Sequence, residues 1–170
     1  MKYIKSIMFV LSIIICSCTN NNNEPPLETQ LPVVQSYFPA TVEFNINDSE
    51  WIEKIKPWAD ARLIVNDLSE LPTDPVVYSN AFNGIDFSRY TLLISFEIHD
   101  WTIDTYRTRF FRENIDGTYN WAYSVGTTTV PGQESDTWYF TRFAVLVNKL
   151  PADAKVSMWL SLGALNWGFE

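Results

Sequence analysis

Apolar and polar residues alternate with a period of two through most of the second half of this chain, and that alternation predicts strands. In residues 90–101, Leu92, Ile94, Phe96 and Ile98 fall on one side, while Ser95, Glu97 and His99 fall on the other. Residues 105–113 and 118–126 flank Asn114-Ile115-Asp116-Gly117, and Asp-Gly is a favoured two-residue hairpin turn. With Asp116 and Gly117 as the central residues, Ile115 faces Thr118, Arg112 faces Trp121, Phe110 faces Tyr123 and Thr108 faces Val125. That register puts an aromatic set on one face and Arg107, Arg109 and Phe111 on the other. Residues 138–147 are apolar on both faces except for Thr141 and Arg142, as in a central strand. In the last strand Val156, Met158, Leu160 and Leu162 alternate with Lys155, Ser157, Trp159 and Ser161.

The first half is more varied. Residues 41–46 alternate as a strand, and Asn47 or Asp48 caps a short helix over 49–56. Glu50 stands three residues after Asn47, the spacing of a capping box, and Trp51, Ile52 and Ile55 share one face. Pro57 ends this helix. Residues 62–65 are a second strand, 66–71 one helical turn, 72–84 a loop, 127–136 a polar loop with Pro131 and Gly132, and 149–154 a turn. No internal repeat is present. The expected class is mainly β, with α+β as the alternative description: an antiparallel β-sandwich or partly open barrel with one or two short helices.

The N-terminus follows a different pattern. Lys2 and Lys5 precede an apolar run from Ile7 to Ile15, too short to span a bilayer as a stable helix, and Ile15-Cys16-Ser17-Cys18 follows. This exit resembles a bacterial lipobox. It predicts a signal peptide over residues 1–17, lipidation of Cys18, a tether over 18–32 rich in Asn and Pro, and one β-rich domain over 33–170. The expected address is the cell envelope of a Gram-negative bacterium, anchored by lipid in the outer membrane, with the periplasmic and surface faces both open. Losing Lys2 and Lys5 with the signal takes the formal net charge from −8 to −10, which repels nucleic acid. Both cysteines lie in the targeting segment, so the mature domain has no disulfide.

A short strand before the capped turn of residues 62–71, a loop leading to Gly84-Ile85-Asp86-Phe87-Ser88-Arg89-Tyr90-Thr91-Leu92-Leu93, and a β-meander with a Pro-Gly loop before its penultimate strand follow one another. This order resembles small lipoproteins of the Bacteroidetes of unknown function. It is also similar to the C-terminal domain of a lipoprotein that stabilises a secreted protease complex in oral spirochaetes. The likeness covers roughly residues 60–165 and leaves out residues 33–56. It implies an accessory or binding role without catalysis, and it carries over no site residues.

Candidate chemistry is sparse. His99 is the only imidazole and reads as a surface residue beside Glu97; no Gly-x-Ser-x-Gly accompanies it. Asp100, Asp104, Glu113 and Asp116 surround the hairpin without the spacing of a calcium loop. No metal site and no cofactor are expected. Arg107 and Arg109 share a strand face and suit a carboxylate or sulfate, although such arginines more often pair with cross-strand acids. Trp159 shares its face with Lys155, Ser157 and Ser161, which exposes its ring. Arg107, Arg109, Phe111 and Trp159 are therefore the candidate contacts for a ligand or partner. The expected function is a non-catalytic envelope lipoprotein that binds a protein partner or acts as an accessory module. The alternative is a carbohydrate-binding module of a surface glycan system. An exposed aromatic row favours the glycan; a flat apolar patch or open sheet edge favours the protein.

Overall fold

The computed structural model describes residues 28–59, 61–127 and 136–163. The signal peptide, Cys18, the tether up to residue 27, the loop with Pro131 and Gly132, and Trp167 lie outside the described residues. The chain runs β1 (Thr29–Leu31), β2 (Val33–Asn45), α1 (Ser49–Ile55), β3 (Arg62–Val65), β4 (Tyr90–His99), β5 (Ile103–Glu113), β6 (Tyr119–Thr127), β7 (Thr137–Asn148) and β8 (Val156–Gly163). Single 3-10 turns at Leu68–Glu70 and Asn80–Phe82 interrupt the loop between β3 and β4.

The strands form two four-stranded sheets, one in the order β1-β5-β6-β8 (sheet A) and one in the order β2-β7-β4-β3 (sheet B). The mainly β expectation holds, as a sandwich and not as a closed barrel among the described residues. Sheet B is wholly antiparallel; in sheet A, β8 lies parallel to β6 because β7 crosses to the other sheet between them.

Sheet B is covered on both sides, which is why β7 reads as a near-continuous apolar run and why β4 is buried on both faces despite its polar positions. One face packs on sheet A through Leu93, Phe143, Val145 and Val147 against Phe111, Trp121, Tyr123 and Val125. The other face carries Leu92, Ile94, Phe96, Phe140 and Ala144 and is roofed by Ile55 of α1 and by Leu71, Val77 and Phe82 of the long loop. Each fully buried Leu, Ile, Val or Phe side chain in these layers contributes about 1.5–3 kcal/mol. Arg142 pins that roof: its Nη1 donates to the carbonyls of Val77 at 2.5 Å and Tyr78 at 2.9 Å, and its guanidinium lies 5.0 Å from the Phe82 ring. Burial pushes its pKa down.

Several expectations are corrected. The tether ends earlier than residue 32, since Thr29–Leu31 pairs with β5 and Leu31 packs on the inter-sheet core. The first long strand starts at Val33, not residue 41. The helix cap is Asp48, whose side chain accepts from the amides of Glu50 and Trp51 at 3.1 and 3.2 Å. Glu50 is then too close to the cap for a capping box, and it pairs with Lys54 at 2.8 Å instead. At the hairpin, Gly117 N–H donates to the Asn114 carbonyl at 3.0 Å and Asn114 N–H to the Thr118 carbonyl at 2.8 Å. Ile115 and Asp116 are thus the central residues of the turn, and Gly117, at φ +77°, is the left-handed bulge after it. That extra residue slips the register by one: Arg112 faces Asn120, Phe111 faces Trp121 and Phe110 faces Ala122.

Candidate functional site

A second irregularity in β5 builds the site. Phe110 pairs with Ala122 and Thr108 with Tyr123, so Arg109 has no partner on β6 and bulges. The bulge inverts the alternation on either side of it. Phe111 therefore turns inward and is 1% exposed, packed 5.8 Å from the Tyr119 ring. As a ligand contact Phe111 is withdrawn: it is core. Its neighbour Phe110 takes the outer position.

The outer face of sheet A then collects Arg107, Arg109, Phe110 and Arg112 from β5. It adds Asn120, Ala122 and Ser124 from β6, and Ser157, Trp159 and Ser161 from β8. Trp159 stands beside Ala122 and is 62% exposed. Arg107 Nε donates to Ser124 Oγ at 3.3 Å, and Arg109 Nη1 reaches over β6 to Ser161 Oγ at 3.5 Å. Ala122 and Ser124 lie under this outer layer and keep only 7% and 8% exposure. Arg112 lies 4.5 Å from the Phe110 ring and pairs with Glu28. Arg107 and Arg109 are exposed, and among the described residues neither forms an ion pair.

A hollow of about 310 Å³ opens between Trp159 on one side and Arg109 and Phe110 on the other, with Ala122 as its floor. A second, of about 520 Å³, lies where the chain leaves β1 and crosses as β2 to the other sheet; Gln30, Gln35, Arg107 and Arg109 help to line it. There Ser36 Oγ and Thr108 Oγ1 are 3.2 Å apart. The two hollows share Arg109 and Phe110. The structure thus brings together Arg107, Arg109 and Trp159, and it adds Phe110, Asn120 and Ser161. No compositional signal marks the bulge that recruits Phe110.

No known family, curated protein or solved structure matches this chain.

The polar residues of β4 are not at the surface. Ser95 Oγ lies 2.7 Å from the Tyr123 hydroxyl, which donates to Glu97 Oε1 at 3.1 Å; Arg62 Nη2 donates to the same carboxylate at 2.6 Å. Burial, with Glu97 beside it, raises the Tyr123 pKa well above its ordinary value. His99, expected on the surface, is 5% exposed. Its Nδ1 lies 2.7 Å from the Trp101 carbonyl, which can only accept, so Nδ1 carries the proton. Nε2 then accepts from the Thr141 hydroxyl at 2.8 Å, and Thr141 Oγ1 lies 2.9 Å from Thr41 Oγ1. Burial is the main reason that its pKa falls to about 4. Both ring nitrogens are committed to holding β4, β7 and the turn at Trp101 together. Among the described residues no group of three His, Cys, Asp or Glu is placed to hold a metal, and no helix is long and apolar enough to cross a membrane.

Proposed function

We propose that this protein is a non-catalytic envelope lipoprotein, anchored at Cys18 to the outer membrane, that binds its ligand on the outer face of sheet A. Of the two ligand classes expected, a glycan is the better supported. The observation that carries the reading is the open ring of Trp159 facing Arg109 and Phe110 across the small side chain of Ala122. An exposed indole offers an apolar face to the C–H side of a sugar ring, and Asn120 and Ser161 at the rim of the same hollow offer partners to its hydroxyls. A protein interface draws most of its energy from apolar anchors sunk in dry pockets. Among the described residues the centre of this face has none: Phe110 is covered by Arg112, the exposed Val34 lies at the margin of the second hollow, and Phe38 lies on β2 outside both hollows.

The test is retention on an array of bacterial, plant and host glycans beside an array of envelope proteins, with the wild type and Trp159→Ala compared. The reading expects glycan retention that Trp159→Ala abolishes. Retention by envelope proteins alone, unchanged in Trp159→Ala, would refute it.

A further inference from the structure

We infer that the outer face of sheet A takes an acidic oligosaccharide, with its anionic groups at Arg107 and Arg109 and one ring on Trp159. This rests on the reading of that face as a glycan site. The chain carries 20 acidic residues against 12 basic ones. Among the described residues Lys54, Lys56, Arg62 and Arg112 form ion pairs, whereas Arg107 and Arg109, like Arg89, Arg142, Lys149 and Lys155, form none, and Arg107 and Arg109 are the two of these that stand together on β5. Among the described residues, Arg107 and Arg109 are held by hydroxyls alone, at 3.3 and 3.5 Å, through one N–H each. A guanidinium has five N–H donors in a planar fork, so most of the donors of both arginines stay available for a carboxylate or sulfate, which takes two in parallel. The net charge of −8 repels an anion over the surface as a whole. A local pair of arginines with no acid partner among the described residues is what overcomes that repulsion at one place.

The shape points to a chain of sugars. The 310 Å³ hollow beside Trp159 and the 520 Å³ hollow beside Gln35 and Arg107 meet at Arg109 and Phe110. From β8 to β5 the face spans two strand spacings, about 10 Å. A ligand of several rings crosses that distance and meets Trp159, Arg109 and Arg107 in turn. An acidic peptide would need a central apolar pocket for a side-chain anchor. The centre here is guanidinium over Ala122 and Ser124; the open apolar surface is the flat ring of Trp159, with Ser157 and Ser161 on either side of it along β8, and Val34 is exposed only at the far margin of the second hollow.

The experiment is calorimetric titration of the full mature protein with defined probes. The acidic probes are tetragalacturonate, an alginate oligomer and a chondroitin sulfate oligomer. The neutral probes are the methyl ester of tetragalacturonate, a xylan oligomer and a cellulose oligomer; a polyglutamate peptide is the remaining arm. At least one acidic glycan should bind about tenfold or more tightly than every neutral one, and the uronate and sulfate arms identify the anion. Arg109→Gln and Arg107→Gln should each erase most of that preference, and Trp159→Ala should weaken all glycan binding. Exposed as they are, all three variants should keep the wild-type melting temperature. Equal or tighter binding of the neutral glycans overturns the inference and leaves the glycan reading standing. Binding of polyglutamate without any glycan, or of nothing, overturns both. A preference for acidic glycans that survives both arginine variants also overturns the inference.

Discussion

Replacing His99 with glutamine should flatten the acid limb of the stability curve. His99 is the one histidine in the chain, and its ring is stacked 3.7 Å from Trp101 and 5.7 Å from Tyr139. Burial depresses its pKa to about 4, against the opposing pull of the Trp101 carbonyl and the Asp100 carboxylate. The unfolded chain takes up this proton near pH 6.5, and the folded protein only near pH 4. Between those values the unfolded state binds more protons, so acid favours unfolding. The contribution is therefore full above about pH 6.5, declines as the pH falls to about 4, and is flat below that. A window of about 2.5 pH units, at about 1.4 kcal/mol per unit, amounts to about 3 kcal/mol. Urea unfolding of the wild type and His99→Gln at intervals from pH 7 to pH 4 measures it. The wild-type slope should exceed the variant slope by about 1.4 kcal/mol per pH unit near the middle of the window, the slope of about one extra proton bound by the unfolded chain. Since there is one histidine, its ring proton resonance reports the folded pKa directly. A ring that titrates near pH 6.5 in the folded protein, or parallel slopes for the two proteins, would refute the reasoning.

The β5 bulge predicts opposite outcomes at adjacent phenylalanines. Phe111→Ala should cost about 3–5 kcal/mol in chemical denaturation, while Phe110→Ala on the outer face should cost less than about 1.5 kcal/mol. Gly117→Val should destabilise the hairpin by about 1–2 kcal/mol, because φ at Gly117 is +77° and a β-branched residue resists that conformation; a midpoint equal to wild type would contradict the turn. Cys18→Ala should give a protein without acyl chains that leaves the membrane fraction. Mass spectrometry of the mature N-terminus decides this, and lipid on Cys16 would contradict the anchor.

The parts of the fold that were legible in the sequence are those where packing imposes a period. β7 announces itself because sheet B is covered on both faces, and α1 because Asp48 precedes an apolar stripe ending in Ile55. Alternation does not distinguish water from a hydrogen-bonded polar layer between sheets. Ser95, Glu97 and His99 therefore read as surface residues although they bond inward to Tyr123, Arg62 and Thr141. β1 was not legible because three residues in a Pro-rich segment are strand only through their pairing with β5. The site was half legible. Arg107, Arg109 and Trp159 follow from strand periodicity. The exchange of Phe111 for Phe110 depends on a one-residue bulge at Arg109, and nothing in local composition records a bulge.

The measurement that bears most directly on the central claim is a chemical-shift map of the labelled mature protein during titration with a pool of acidic and neutral oligosaccharides. If the outer face of sheet A is the binding surface, the shifting signals should cluster on the Trp159 indole, the Arg107 and Arg109 guanidinium groups, and the amides of β5, β6 and β8 around Ala122. Shifts confined to β2 around Phe38, outside both hollows, or a spectrum unmoved by any glycan, would contradict it.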